Sequence, residues 1–270
     1  MDILTRLQEI AMEKSEGYDD DLFFVRGQWG IDLLFKPNIH ERTFQYQVIV
    51  VQTVRQGASY CACARRTVRP ELMGKDARTA RSDNRCMNVA LLDAAYSVFF
   101  DDAVEDFYLD GTSMEKAVER ADIVASEVLY QIPENTKREK PSVVNVGVVG
   151  NIIRQLRERG IEVFATDLDP ELVGSASQGV MVQDGIAHTL ELVEKCDVAL
   201  ITGMVLSTNT LDDILNVAKQ SETRVVMFAE TGAWFAQTYC DHFGVAAVIS
   251  EPFPFYIFEG QSLIRLHRPE

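Results

Sequence analysis

The chain carries Asn145-x-Gly147-x-x-Gly150 and, 20 residues beyond Gly147, the carboxylate Asp167. At this spacing a glycine turn can cradle phosphate while an acid bonds a ribose hydroxyl. Two of the three fingerprint glycines are present. Asn at the first position enters the left-handed backbone region more readily than most residues. A plainer reading is equally consistent: the two glycines let a helix starting near Asn151 pack closely on a strand. Further polar groups follow apolar runs in the second half: Thr202-Gly203, then Thr208-Asn209-Thr210, then Glu230-Thr231, then Ser250-Glu251. Thr210 with Asp213 forms a loose capping box, and hydroxyls at a helix start could seat an anion. A helix cap alone accounts for them as well.

Two other groups bear on chemistry. Arg65, Arg66, Arg69, Lys75, Arg78, Arg81 and Arg85 gather basic charge in an acidic chain. They form either a solvated surface or an anion site, with Arg65 and Arg66 the candidates to face a cleft. Cys61 and Cys63 lie two apart on a strand and share a face. They are weak candidates for a metal and otherwise packed thiols. His40 and His267 lack neighbours of ligand type, Cys240 and His242 point to different faces of an expected helix, and His188 reads as structural in an amphipathic helix. HExxH, CxxC and GxSxG are absent, and no Ser-His-Asp or Cys-His arrangement is apparent.

The elements that position these residues follow from periodicity. Residues 1–15 place Ile3, Leu4, Leu7, Ile10 and Ala11 at helical spacing. Residues 44–54 alternate as a strand, and Gln56-Gly57 is expected to turn the chain into a returning strand at 59–64, with Gly57 at positive φ. A helix is expected over 86–100, and another after Thr112 or Ser113 with Glu115 near its start. Residues 133–141, PENTKREKP, read as a linker. Beyond it strands at 143–149, 161–165, 198–201, 224–229 and 246–249 alternate with helices at 152–158, 185–194, 211–219 and 233–243. That order implies a parallel sheet with helices on both faces. An α+β unit at 1–106 and an α/β unit at 107–270 are expected, with helix 112–131 able to belong to either.

Bulk properties narrow the partners. The net charge of −15 argues against binding nucleic acid or anionic membrane, which need positive surface. No apolar run reaches the roughly 18 residues of a membrane span. Five cysteines, an odd number, read as reduced thiols in a cytoplasmic protein.

Residues 198–213, VALITGMVLSTNTLDD, resemble the "ITG…NxTLD" segment of the heavy-metal-chelation family. Val146-Gly-Val-Val-Gly and Glu158-Arg-Gly-Ile-Glu-Val-Phe fit its first βαβ unit. Two departures stand out: Thr208-Asn209 precedes the Thr where the family usually has Asn-Gly, and Ala229-Glu230 stands where it often has Gly-Pro. The resemblance implies a Rossmann-like C-terminal domain, an enolase-N-terminal-like α+β domain before it, a cleft between them, and self-association, a dimer being expected. Three readings follow. One is a small-ligand-binding protein that takes a metal ion or an anionic metal chelate. The second is an enzyme holding a nucleotide-type or adenosyl cofactor on Gly147, Gly150 and Asp167. The third is a scaffold with only an interaction role, which a filled apolar cleft would favour.

Overall fold

The computed structural model describes residues 2–35, 43–61, 68–100 and 103–270. Pro37 and Asn38, which mark a turn in the sequence, the residues His40, Cys63, Arg65 and Arg66, and the last three positions of the 59–64 strand lie outside the described residues.

Helix α1 (Ile3–Lys14) buries Ile3, Leu4, Leu7, Ile10 and Ala11, the stripe its periodicity marks out. Strands β1 (Gly27–Phe35), β2 (Phe44–Gln52) and β3 (Gln56–Cys61) form an antiparallel meander. The turn between β2 and β3 falls at 53–55 and not at Gln56-Gly57. Gly57 lies inside β3, and its φ is not positive. Its missing side chain matters for another reason: a Cβ there would stand 2.0 Å from the Ala94 amide nitrogen of α2 (Arg85–Tyr96). The helix therefore lies directly on the strand. Asn84 starts α2 by accepting the Cys86 and Met87 N–H groups. The helix stops at Tyr96, short of 100, and Phe100 turns to φ +47°.

The large sheet begins with β4 (Glu105–Leu109), after which Thr112 and Glu115 form a full capping box on α3 (Ser113–Gln131). There follow β5 (Ser142–Val146), α4 (Gly150–Glu158), β6 (Glu162–Asp167), β7 (Ala176–Ser177), β8 (Val180–Asp184), α5 (Gly185–Lys195) and β9 (Val198–Thr202). The chain ends with α6 (Met204–Ser207), α7 (Leu211–Gln220), β10 (Arg224–Ala229), α8 (Ala236–Phe243), β11 (Ala247–Ser250) and β12 (Ser262–His267). Strand order is β4-β12-β11-β10-β9-β5-β6-β8-β7. The run from β11 to β8 is parallel, while β12, β4 and β7 add antiparallel margins.

One apolar core lies between the sheet and α3 and α4. Another lies on the opposite face under α5, α7 and α8, and α1 with part of α2 joins it. The fold is thus α/β with helices on both faces, carrying a small antiparallel α+β unit. The polar stretch 133–141 packs against the base of the sheet, where the Lys137 N–H donates to Asp197 Oδ1 (2.5 Å). Among the described residues, no helix is long and apolar enough to cross a membrane.

Candidate functional site

Strand order reverses at β5, which has β6 on one side and β9 on the other. In open α/β sheets the crevice at such a reversal is where ligands bind, beyond the strands' carboxyl ends. Gly147 sits there at φ +81°, and a Cβ on it would lie 2.5 Å from Thr202 Oγ1. Only glycine satisfies both the backbone and the approach of Thr202. Asn145 holds this turn: its Nδ2 donates to the Gly147 carbonyl (3.0 Å) and its Oδ1 accepts the Val149 N–H (3.1 Å). Asp167 accepts the Val148 N–H on Oδ2 (2.8 Å) and the Asp169 N–H on Oδ1 (2.9 Å). It ties the turn after β6 to the turn after β5. Gly150 opens α4 without a side-chain cap, next to a half-buried Asn151. A Cβ on Gly150 would lie 3.4 Å from Ser177 Oγ, so the β7–β8 turn flanks this helix start.

The next strand end is turned inward on itself. The Gly203 N–H donates to the Phe228 carbonyl, and a Cβ on Gly203 would stand 2.3 Å from the Thr231 carbonyl oxygen. Asn209 takes φ +62°. Thr208 Oγ1 donates to the Met204 carbonyl (3.1 Å) and meets Thr210 Oγ1 at 3.1 Å. Thr210 holds the position before α7 but makes no side-chain cap, so the expected Thr210–Asp213 box does not form. Its hydroxyl returns to the Val205 carbonyl (3.4 Å). Asp212 and Asp213 already occupy the first turn of α7, where their charge complements the helix dipole and repels an anion.

The densest charge lies beyond β10 and β11. Arg120 of α3 donates from Nη1 to Glu230 Oε1 and to Glu251 Oε2, both at 2.8 Å. The Arg120 and Glu251 side chains are 7% and 0% exposed, whereas Glu230 is 18% exposed. The guanidinium carbon lies 3.7 Å from the Tyr256 ring centre and 4.8 Å from that of Phe228. Burial alone would lower the Arg120 pKa, but the charges of Glu251 and Glu230 override it and leave it raised. Burial pushes the Glu230 carboxyl up to about 7, with Arg120 opposing and Glu251 reinforcing the shift. Tyr60 and Tyr256 stand against this group, and burial raises the pKa of both phenols.

The small unit is fastened across these strand ends. The Tyr60 N–H donates to Thr231 Oγ1 (3.0 Å), and the Gly232 N–H donates to the Ala58 carbonyl (3.1 Å). Asp93 of α2 accepts the Ala58 N–H on one oxygen and the Trp234 N–H on the other, each at 2.8 Å. Burial pushes its carboxyl up to about 8 against those two donors. The segment after β11 lies over the meander, where Val48, Val50, Ala58, Tyr60 and Phe255 form an apolar cluster. Lys116, one helical turn before Arg120, holds the far end of that segment by donating to the Phe258 and Gly260 carbonyls, both at 2.8 Å.

The basic run disperses. Arg69 pairs with Asp83, Arg78 with Asp76 and Asp20, and Arg85 with Asp2. Arg81 and Arg85 line a surface hollow of about 270 Å³ beside the start of α1, and Arg85 Nε donates to the Leu206 carbonyl of α6, just past β9 (2.8 Å). Cys61 is buried with Ile49, Val51 and Leu72 on the α2 side of the meander, opposite Tyr60. Among the described residues, no group of three or more His, Cys, Asp or Glu could hold a metal ion.

The sequence reading did not find Arg120, Tyr60, Tyr256 or Asp93, and it placed Glu251 at a strand end without a partner. One signal was present. Lys116, Arg120, Glu127 and Gln131 follow helical spacing beside the apolar stripe Ala117, Ala121, Val124 and Val128, and both rows are buried. A polar row running alongside an apolar one marks a helix whose charges are paired inside.

A Rossmann-like sheet with an antiparallel α+β unit hydrogen-bonded across its carboxyl ends defines the class: an α/β protein carrying a small α+β unit. Residues 134–250 match the model of the family DUF364, described as "Putative heavy-metal chelation", the family that residues 198–213 resemble. A protein of unknown function in that family, from Pyrococcus horikoshii, is similar at a TM-score of 0.54 and 16% identity, over 92% of this chain and 86% of that one. Another, from Desulfitobacterium hafniense DCB-2, is similar at a TM-score of 0.54 and 13% identity, over 97% and 98%. At these identities the likeness shows the fold alone. No curated protein matches the chain.

Proposed function

We propose that the chain binds a small anionic metal chelate in the crevice between the strand ends and the meander, acting in the cytoplasm as a homodimer. Gly147, Thr202 and Glu230 would line the crevice, with Tyr60 and Tyr256 as its wall. The observation that carries this reading is the Arg120–Glu230–Glu251 group. A charged triad is costly to bury, and its Glu230 carboxyl, 18% exposed, precedes Thr231, whose hydroxyl accepts the Tyr60 N–H of the small unit. The family description supports metal handling. The polar groups at the strand ends are hydroxyls, a guanidinium and paired carboxyls, which suit the organic shell of a chelate better than a naked ion.

Calorimetry on metal-free protein tests the reading, using zinc, nickel and iron(III), each alone and as an oxalate complex. Heat from the complexes that is reduced in Thr202→Val is expected. No heat beyond buffer from any of them would sink it. Native mass spectrometry of the protein as purified would show a carried ligand and the oligomeric state.

A second reading is favoured by Gly147 at the strand-order reversal: an enzyme holding a nucleotide or adenosyl cofactor there. It has less support because both Asp167 oxygens already accept backbone N–H groups. Thermal stabilisation by NAD, S-adenosylmethionine or ATP at about millimolar concentration, lost in Asp167→Ala, would favour it over the chelate. The apolar cluster around Tyr60 and Phe255 favours the scaffold reading, which an absence of binding in both assays would leave standing.

A further inference from the structure

We infer that the surface hollow between the start of α1 and the start of α2 is a separate binding site, which takes a small oxyanion, a carboxylate or a phosphate, on Arg81. It stands apart from the crevice proposed above and does not depend on it.

The arginines of the basic run differ in one respect. Arg69 has Asp83, Arg78 has Asp76 and Asp20, and Arg85 has Asp2. Arg81 has no acid partner among the described residues. Its Nη1 donates to the Ala80 carbonyl (2.6 Å) and weakly to that of Arg78 (3.5 Å). That leaves the edge formed by Nε and Nη2 without an acceptor among the described residues. The same edge holds carboxylates elsewhere in the chain. Arg78 grips Asp76 with Nε and Nη2 (3.0 and 2.6 Å), and Arg268 grips Glu127 in the same way (3.0 and 2.6 Å). A guanidinium edge of this kind binds carboxylate or phosphate through two parallel hydrogen bonds.

The surroundings of Arg81 favour an anion there. Part of the side chain faces solvent, yet burial still lowers its pKa and no acid offsets it. The pKa of Arg78 is raised, chiefly by its bond to Asp76. The hollow beside Arg81 measures about 270 Å³. That falls just below the roughly 300–1,000 Å³ of sites for drug-sized ligands and suits a small ion or a short organic acid. Thr5 and Gln8 line it from α1, and neither side chain has a partner among the described residues. Their hydroxyl and amide can serve the oxygens that Arg81 does not reach. The acids at the rim, Asp2 and Asp83, are already held by Arg85 and Arg69 and do not compete for Arg81. A neighbouring hollow of about 300 Å³ also borders Arg81 and contains Lys75. Thr5 and Gln8 place the ligand on the α1 side.

Nuclear magnetic resonance of the arginine Nε–H groups in the full chain tests the site. Arg81→Lys identifies the Arg81 signal by its disappearance. Inorganic phosphate and acetate are titrated separately at constant ionic strength, which holds screening fixed. The Arg81 signal should move and saturate with at least one of them, and the two titrations tell phosphate from carboxylate. By calorimetry, Arg81→Lys should bind that anion at least about tenfold more weakly, because a lysine offers no two-pronged edge. Gln8→Leu should bind it about two- to tenfold more weakly, the worth of one hydrogen bond. Both substitutions lie outside the core and should leave the melting temperature of the unliganded protein within about 2 °C of wild type.

A shift that does not saturate with either anion overturns the site. Binding that is lost in Lys75→Ala but kept in Gln8→Leu overturns its placement and moves the anion to the neighbouring hollow. Thr202→Val should leave this binding unchanged, and Arg81→Lys should leave chelate binding unchanged, so the two sites stand or fall separately.

Discussion

Replacing Arg120 by Leu removes the only cation that, among the described residues, is paired with Glu230 and Glu251. Its Nη1 makes both contacts at 2.8 Å, and Glu251 is left with no exposed surface. Breaking a buried pair on one side costs about 3–5 kcal/mol, because the surviving charge has no compensation. The stacking of the guanidinium on Tyr256 and Phe228 adds roughly 1 kcal/mol, part of which Leu recovers by packing on the same rings. A loss of about 4 kcal/mol at pH 8 is therefore expected, read as a drop in melting temperature of roughly 10 °C. The pH dependence carries the sharper test. Without the guanidinium, nothing opposes the burial that already raises the Glu230 carboxyl above its unfolded value. Such a group favours the folded state most at low pH, and that contribution is lost as the pH rises through the raised value. The deficit of Arg120→Leu should thus be smallest near pH 5 and grow toward pH 8. Adding Glu230→Gln and Glu251→Gln should recover much of it, since neutral groups need no counter-charge. A single variant melting within about 2 °C of wild type at pH 8, or showing the same deficit at both pH values, would refute the account of a charge-compensated triad.

Other perturbations test the junction of the two units. Asp93 has a folded pKa of about 8 against an ordinary 3.8, so its contribution to stability is largest at low pH and declines as the pH rises from about 4 to about 8. Asp93→Asn can accept only one of the two N–H groups and should lose about 1–3 kcal/mol at pH 6. Chemical denaturation across pH should show the gap to wild type narrowing by pH 9. Gly57→Ala places a Cβ 2.0 Å from the Ala94 nitrogen, so α2 must lift from β3. A loss of about 3 kcal/mol or more is expected, and a stability near wild type in the same denaturation would show that the helix does not lie directly on the strand. Lys116→Met removes the donor that holds the Phe258 and Gly260 carbonyls. Limited proteolysis should then cut within residues 252–261 several-fold faster, and an unchanged rate would deny Lys116 that tethering role.

Much of the large sheet is legible because its parallel strands are short apolar runs separated by helices with clear stripes. Two of the strands missed have burial that is not written as hydrophobicity. β12 buries Arg265, paired with Asp106, and His267, hydrogen-bonded to Gln237, and so does not resemble a core strand. β4 at the sheet margin has mostly exposed or half-exposed residues. Gly57 shows a related limit. A glycine between two strands suggests a turn, but here it is demanded by a helix about 35 residues further along the chain, which local pattern does not reveal.

The candidate site was half legible for the same physical reason. Gly147, Asp167, Thr202 and Glu230 stand at strand ends, and strand ends can be read from periodicity. What those residues do depends on partners that topology supplies. Asp167 has the spacing of a ribose ligand, yet its oxygens take the Val148 and Asp169 N–H groups and its first task is to join two turns. Thr210 has the spacing of a cap, yet it folds back on α6. Glu230 has no sequence neighbour that would mark it. It gains its character from Arg120, 110 residues earlier on a helix laid across the sheet, and from Glu251 on the adjacent strand end. A carboxylate's spacing therefore says where it lies, while its protonation, and with it the kind of ligand it can meet, is set by which cation the fold brings to it and how many acids share that cation.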